Sequence, residues 1–189
     1  MTREDDFQVP LEDEPDLVAG GDPHSRADES AMEPPRPLNW NLLTSTNARF
    51  EWNELDGWVK WLRDTYGLGP TTLPPFWHRH WDLVWELSAL HLHWLCAYDP
   101  QQHGSAPLGW HRDFHDASVR LRNWTADCGT KLDRDRPTRV AAWPGAPLRE
   151  LATEVVIADR DADFAAFVDA DVAGRRARED ALIAAIAAA

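Results

Sequence analysis

The sequence predicts an all-α fold: a small helical domain around a central tryptophan-rich helix, with a disordered acidic N-terminal tail and a C-terminal helix. Three observations carry this expectation. Apolar residues recur at three- and four-residue spacing along successive long segments, the period of a helix with one buried face. No alternating apolar–polar run flanked by hairpin turns occurs. Eleven of the 189 residues are tryptophan, a side chain that buries much area and suits a small core.

The tail comes first. Residues 1–38 hold eleven acidic residues against three arginines, a net of −8 out of −13 for the whole chain. With Gly20-Gly21 and the run Pro34-Pro35-Arg36-Pro37, this segment has too little apolar surface to offset the entropy of ordering. The start, MTREDDFQVP, lacks the apolar stretch of a secretory signal. No apolar run approaches the roughly 18 residues that would span a bilayer. A cytoplasmic protein with no membrane association and reduced thiols is expected.

A core domain is expected over 39–145 and a C-terminal helical segment over 146–189. Asn53 suits the cap of a first helix running to Tyr66, with Leu55, Trp58, Val59, Leu62 and Tyr66 on one face. Gly67, Gly69 and Pro70 stop it. The second helix, from Trp81 to Tyr98, is apolar nearly all round. Only Asp82, Glu86 and His93 form a polar stripe, so it belongs at the domain centre. The third, from Trp110 to Ala126, is amphipathic, with Trp110, Phe114, Ala117, Leu121 and Trp124 in one stripe, and Asp116 and Arg120 placed to pair at i,i+4. Trp85 and Trp124 are expected buried where these two helices meet, because the short loop between them favours antiparallel packing. Beyond residue 146, Pro147 could open a short helix, although Glu154–Ile157 also suits a strand. Asp161 to Ala189 reads as an alanine-rich helix.

The stretch WHRHWDLVWELSALHLHW, residues 77–94, concentrates four tryptophans and four histidines and invites a metal or ligand reading. His91 and His93 lie two apart, about 200° around a helix, and cannot share an ion. His111 and His115 stand at i,i+4, a spacing that can reach one zinc ion, with His78, His80, Asp82 or Glu86 as a third ligand if the helices pack. The residue after His111 is Arg112, where a zinc protease carries its glutamate base. With two cysteines and no C-x-x-C pair, a cysteine-based zinc site is not indicated. No phosphate-binding glycine loop and no G-x-S-x-G elbow occurs. These absences point away from catalysis, and no cofactor is expected.

The tryptophans at helical spacing read as core. Trp40, Trp52, Trp77 and Trp143 fall outside the stripes and become candidates for a functional surface, together with His78, His80, Arg112 and Arg122. The stretch from Arg112 to Arg139 carries seven basic and five acidic residues. That is a mixed surface rather than the clustered basic stripe of a nucleic-acid binder, and the acidic chain as a whole repels phosphates.

One longer pattern is distinctive. Trp58 in WVKWLRDTYG, Pro75, and Trp77-His78-Arg79-His80 precede Val84, Leu87, Ala89, Leu90 and Trp94; Trp110-His111-Arg112-Asp113 and His115 follow. Residues 55–124 thereby resemble an uncharacterised actinobacterial domain family of unknown function, often encoded on plasmids, prophages and integrative conjugative elements. The resemblance implies no enzymatic activity and no catalytic residues. It implies a genomic setting among mobile elements. The expectation is a non-catalytic accessory or interaction protein with a protein partner; a metal-dependent hydrolase using His111 and His115 is the first alternative, and a nucleic-acid-binding module the second.

Overall fold

A computed structural model describes residues 36–138, 143–145 and 153–188, and among these the chain forms four α-helices and one minimal pair of strands. The expected disorder of the acidic tail up to residue 35, the helix opening at Pro147 and Arg139 lie outside the described residues. The all-α expectation holds, with the C-terminal helix present.

Helix α1 spans Ser45–Tyr66. Thr44 caps it, its hydroxyl accepting from the Asn47 amide at 3.2 Å, which satisfies one of the amides a helix start leaves unpaired. Capping at Thr44 rather than at the expected Asn53 adds two turns and changes the inward face. Ala48 and Trp52 now lie in line with Leu55, Val59 and Leu62, and all five are buried. Gly67 ends the helix with φ 60°, in the left-handed region where the missing Cβ matters.

The connection to α2 is a proline-punctuated loop that closes with a 3-10 turn at Trp77–Arg79. Helix α2 spans Trp81–Ala97 and α3 spans Ala106–Cys128, with Pro107 in its first turn and Gly129 at φ 73° after its end. The Arg136 guanidinium lies against Gly129, so any Cβ there would clash. A two-residue antiparallel pairing of Arg134 and Asp135 (β1) with Val156 and Val155 (β2) follows. It settles Val155–Val156 as strand and anchors Asp135. Helix α4, Arg160–Ala187, is capped by Asp159, whose carboxylate accepts from the amides of Asp161 and Ala162 at 3.0 Å each.

The helices lie in a row, α4–α1–α2–α3. Contacts Ser45–Glu179, Trp52–Asp171 and Lys60–Asp161 run α4 antiparallel to α1. Trp52–Trp81, Trp58–His91 and Trp61–Trp94 run α2 alongside α1 in the same direction. Glu86–Arg120 and His93–Asp113 run α3 antiparallel to α2. Phe164 and Val168 of α4 sit in the same core as Trp110 and Leu121 of α3. The division at residue 145 therefore divides the chain and not the packing. At the other end Leu38 packs against this core, so ordered structure starts inside the segment taken as tail.

The tryptophans sort differently from expectation. Trp40, Trp52 and Trp77, proposed for a surface, are 0%, 0% and 2% exposed. They fill the space between α1, α2 and α4, with the Trp52 ring tilted against Trp40 at 4.3 Å and against Trp77 at 6.2 Å. Trp85, expected in the α2–α3 seam, is instead 37% exposed, while Trp124 packs half-buried against the core. Arg120 reaches across to Glu86 of α2 instead of back to Asp116. Trp85 therefore stands outside the seam that Glu86 closes.

Two substitutions separate these roles. Trp110→Ala should cost about 3–5 kcal/mol in urea melts, as expected for a fully buried aromatic residue. Trp85→Ala should cost less than about 1 kcal/mol, the scale of surface changes. A loss at Trp85 as large as at Trp110 would mean that Trp85 is part of the core.

Candidate interaction surface

His78 and His80, named as metal candidates and as surface residues, are each 1% exposed. The 3-10 turn carries them inward between α2 and α4, and each meets a different carboxylate. His78 Nε2 lies 2.9 Å from Asp163 of α4, while its Nδ1 is buried with no hydrogen-bond partner. His80 Nε2 lies 2.8 Å from Asp135 of β1 and its Nδ1 2.9 Å from the Thr138 hydroxyl. Asp163 also bonds Arg79 in a two-point contact.

The two rings hold opposite charge states. Burial pushes the His78 imidazole down to about 4, outweighing the hydrogen bond to Asp163; Arg160 and Arg79 push the same way. The geometry agrees, because a proton on Nδ1 would have no acceptor. Burial also disfavours the charged form of His80, but the Asp135 carboxylate and the Cys128 thiol beside it reverse the effect and raise it to about 9. Its two nitrogens both face acceptors, as an imidazolium requires. Burial opposes ionisation of Asp163, yet Arg79 and His78 hold its carboxyl below the usual range. These are welds between the turn, β1 and α4.

His111 and His115 lie far from that pair, on the exposed side of α3. His111 Nε2 is 3.1 Å from the Tyr66 hydroxyl. With Phe114, Ser118 and Arg122 they line a shallow groove of about 390 Å³. Arg112 is exposed and bonds Asp113. Trp143 is 81% exposed. Among the described residues no three His, Cys, Asp or Glu side chains gather as a metal site would require. The four candidate histidines therefore do not converge. A larger cleft of about 590 Å³ lies between Pro70–Pro75 and the start of α4. Its cations Lys60, Arg63 and Arg160 are all engaged by Asp56, Asp64 or Asp161.

Among the described residues, the feature that stands unpartnered is the fourth side of α2. Positions 81, 85, 89, 92 and 96 fall within about 80° of arc at about 100° per residue. They are Trp81, Trp85, Ala89, Leu92 and Cys96. Trp81 is 43% exposed, Trp85 37%, and Leu95 at the edge 39%; Leu92 and Cys96 are half-buried. α1 covers one flank of α2 and α3 another, and this stripe faces outward with no polar residue in it. Continuous apolar helix faces on a protein surface mark binding sites. The sequence contained the signal: a helix apolar on nearly every side, with only a narrow polar stripe, needs more neighbours than a row of four helices supplies.

The buried imidazoles set a pH profile. His78, with its folded value below the ordinary 6.5, contributes stability that is full above that pH and is lost as pH falls toward about 4. His80, with its value raised, contributes stability that is full below 6.5 and is lost as pH rises through about 9. From these two groups, stability peaks near 6.5. NMR titration of the imidazole nitrogens should show one ring neutral down to about 4 and another charged up to about 9. Asp135→Asn should bring the second transition down and cost about 3–5 kcal/mol, as when one partner of a buried ion pair is removed. Two ordinary histidine titrations would contradict the buried pairs.

No family model matches the chain, and no curated protein or solved structure was found to be similar to it.

Proposed function

We propose that this is a non-catalytic interaction protein that binds a protein partner through the open face of α2. The observation that carries the reading is the apolar stripe from Trp81 to Cys96, left uncovered on the helix with the most apolar sequence in the chain. A soluble domain rarely leaves such a face without an occupant. The resemblance of residues 55–124 to a family carried by plasmids, prophages and conjugative elements makes an accessory role in mobile-element biology, in the cytoplasm, the setting we favour. Among the described residues no helix is long and apolar enough to cross a membrane.

The rival readings draw less support. A hydrolase at His111 and His115 would need further ligands, and His78 and His80 are sealed against Asp163 and Asp135. A nucleic-acid surface over Arg112 to Arg139 would need a cluster of free cations, but Arg112, Arg120, Lys131 and Arg134 each pair with a carboxylate, which leaves Arg122 and Arg136 among the described residues.

The test is capture from the native host with the full chain as bait, comparing wild type, Trp85→Ser, and His111→Ala/His115→Ala. The reading expects one partner retained by wild type and by the histidine variant but lost by Trp85→Ser. Retention that ignores Trp85→Ser would remove the α2 face from function. Near-stoichiometric zinc in protein purified without a histidine tag, lost in the double histidine variant, would favour the hydrolase.

A further inference from the structure

We propose that the open face of α2 takes a basic amphipathic helix, an inference that rests on the reading of that face as a docking surface and names the chemistry of its occupant. Two observations lead there, one of shape and one of charge. The stripe from Trp81 to Cys96 spans about 22 Å at about 1.5 Å per residue, the length of about four helical turns. It is apolar along its whole length, and large aromatic residues anchor one end. Helix-in-groove recognition uses such a surface, reading apolar anchors at i, i+3, i+4 and i+7 of the partner.

The charge comes from what borders the stripe. Trp52 touches Trp81 and Trp58 stacks on His91, so α1 residues 51 to 58 run beside α2 residues 81 to 91. Glu51 and Glu54 lie within about 60° of Trp58 on the helical wheel, on the α2 side of α1. Neither makes an ion pair or hydrogen bond among the described residues. Glu51 is half-buried, and its carboxyl is raised by burial and then by the neighbouring Glu54 charge. Two carboxylates repelling each other beside an apolar groove are a site for a cation. On the opposite border, Asp82 bonds only the Leu83 amide. The arginines on that side are already taken, Arg120 by Glu86 and Arg112 by Asp113. Among the described residues the border therefore offers unpaired acid on both sides and no free lysine or arginine; His91 stands beside Glu54, but burial pushes its imidazole down, toward the neutral form.

This charge argues against a second copy of the chain. Pairing two α2 faces about a two-fold axis would bring Glu51, Glu54 and Asp82 of each copy toward their equivalents. Chains of net charge −13 also repel at long range. A helix with leucines on one side and lysines or arginines along its edges meets both demands. It covers Trp81, Trp85 and Leu92 and gives Glu51, Glu54 and Asp82 their missing partners. Cys96, a free thiol at the far end of the stripe, reports on coverage, because the other free cysteine, Cys128, is buried.

The probes are two synthetic amphipathic helices of about 18 residues, with the same leucine face and either lysine or glutamate edges. The protein is the full chain. The lysine peptide should bind, shift the tryptophan emission, slow alkylation of Cys96 and lose affinity with added salt. Trp85→Ser should weaken it by about tenfold or more. Glu51→Gln/Glu54→Gln, which leaves the apolar stripe intact, should weaken it about fivefold and flatten the salt dependence. Thermal melts of both variants establish that they are folded.

Equal or tighter binding of the glutamate peptide would overturn the basic occupant while leaving a docking face. A dimer by light scattering that Trp85→Ser dissociates would do the same and assign the face to a second copy. Failure of both peptides to bind a monomer would also overturn it. If host capture were then insensitive to Trp85→Ser as well, the docking reading itself would fall.

Discussion

Trp52 is the point on which the other elements converge. Its indole lies 4.3 Å from Trp40 before α1, 6.2 Å from Trp77 in the turn before α2, and 5.9 Å from Trp81 on α2. On the far side Phe164 and Phe167 of α4 meet it edge-on. Its N–H donates to Asp171 at 3.0 Å, so the ring is buried without leaving a polar atom unpaired. Asp171 in turn accepts from Arg175, and that buried guanidinium donates to the carbonyls of Trp40 and Leu43. Segments far apart in sequence thus share one packed and hydrogen-bonded centre that ties α1, α2 and α4 together.

This centre also explains the histidines. The turn carrying His78 and His80 has to pass between α2 and α4, where it would leave polar backbone and rings unpaired unless partners were supplied. Asp163 and Asp135 supply them. The two imidazoles differ in charge because burial, aided by Arg160 and Arg79, outweighs Asp163 at His78, whereas Asp135 and Cys128 outweigh burial at His80; the second nitrogens agree, Nδ1 of His78 facing no acceptor and Nδ1 of His80 a hydroxyl. A motif that reads as metal ligation is in this fold a device for holding β1 and α4 against one turn.

The same row of helices leaves α2 incomplete. α1 and α3 cover two flanks of a helix whose apolar residues encircle it, and α4 is spent on α1. Trp81 leans on Trp40 and Trp52 with its other face in solvent. Trp85, one turn on, has no aromatic neighbour among the described residues. A face of this kind costs solubility when it stays bare.

Much of this was legible in the sequence by itself. The helices α2 and α3, the glycine stop at Gly67, the C-terminal helix and the tryptophan-rich core follow from the 3.6-residue period, which is a local property. The true start of α1 was legible too, in Thr44 with Ala48 and Trp52 in register with Leu55, although Asn53 offered an equally good cap. Tertiary structure decided the rest. Whether Trp77 and His78 point to solvent or inward depends on α4, more than 80 residues away in the chain, and for His80 it depends on Asp135 of β1, 55 residues away. Whether an all-round apolar helix is covered on every side depends on how many helices pack beside it, and periodicity reports the width of an apolar face but not the number of neighbours available to cover it.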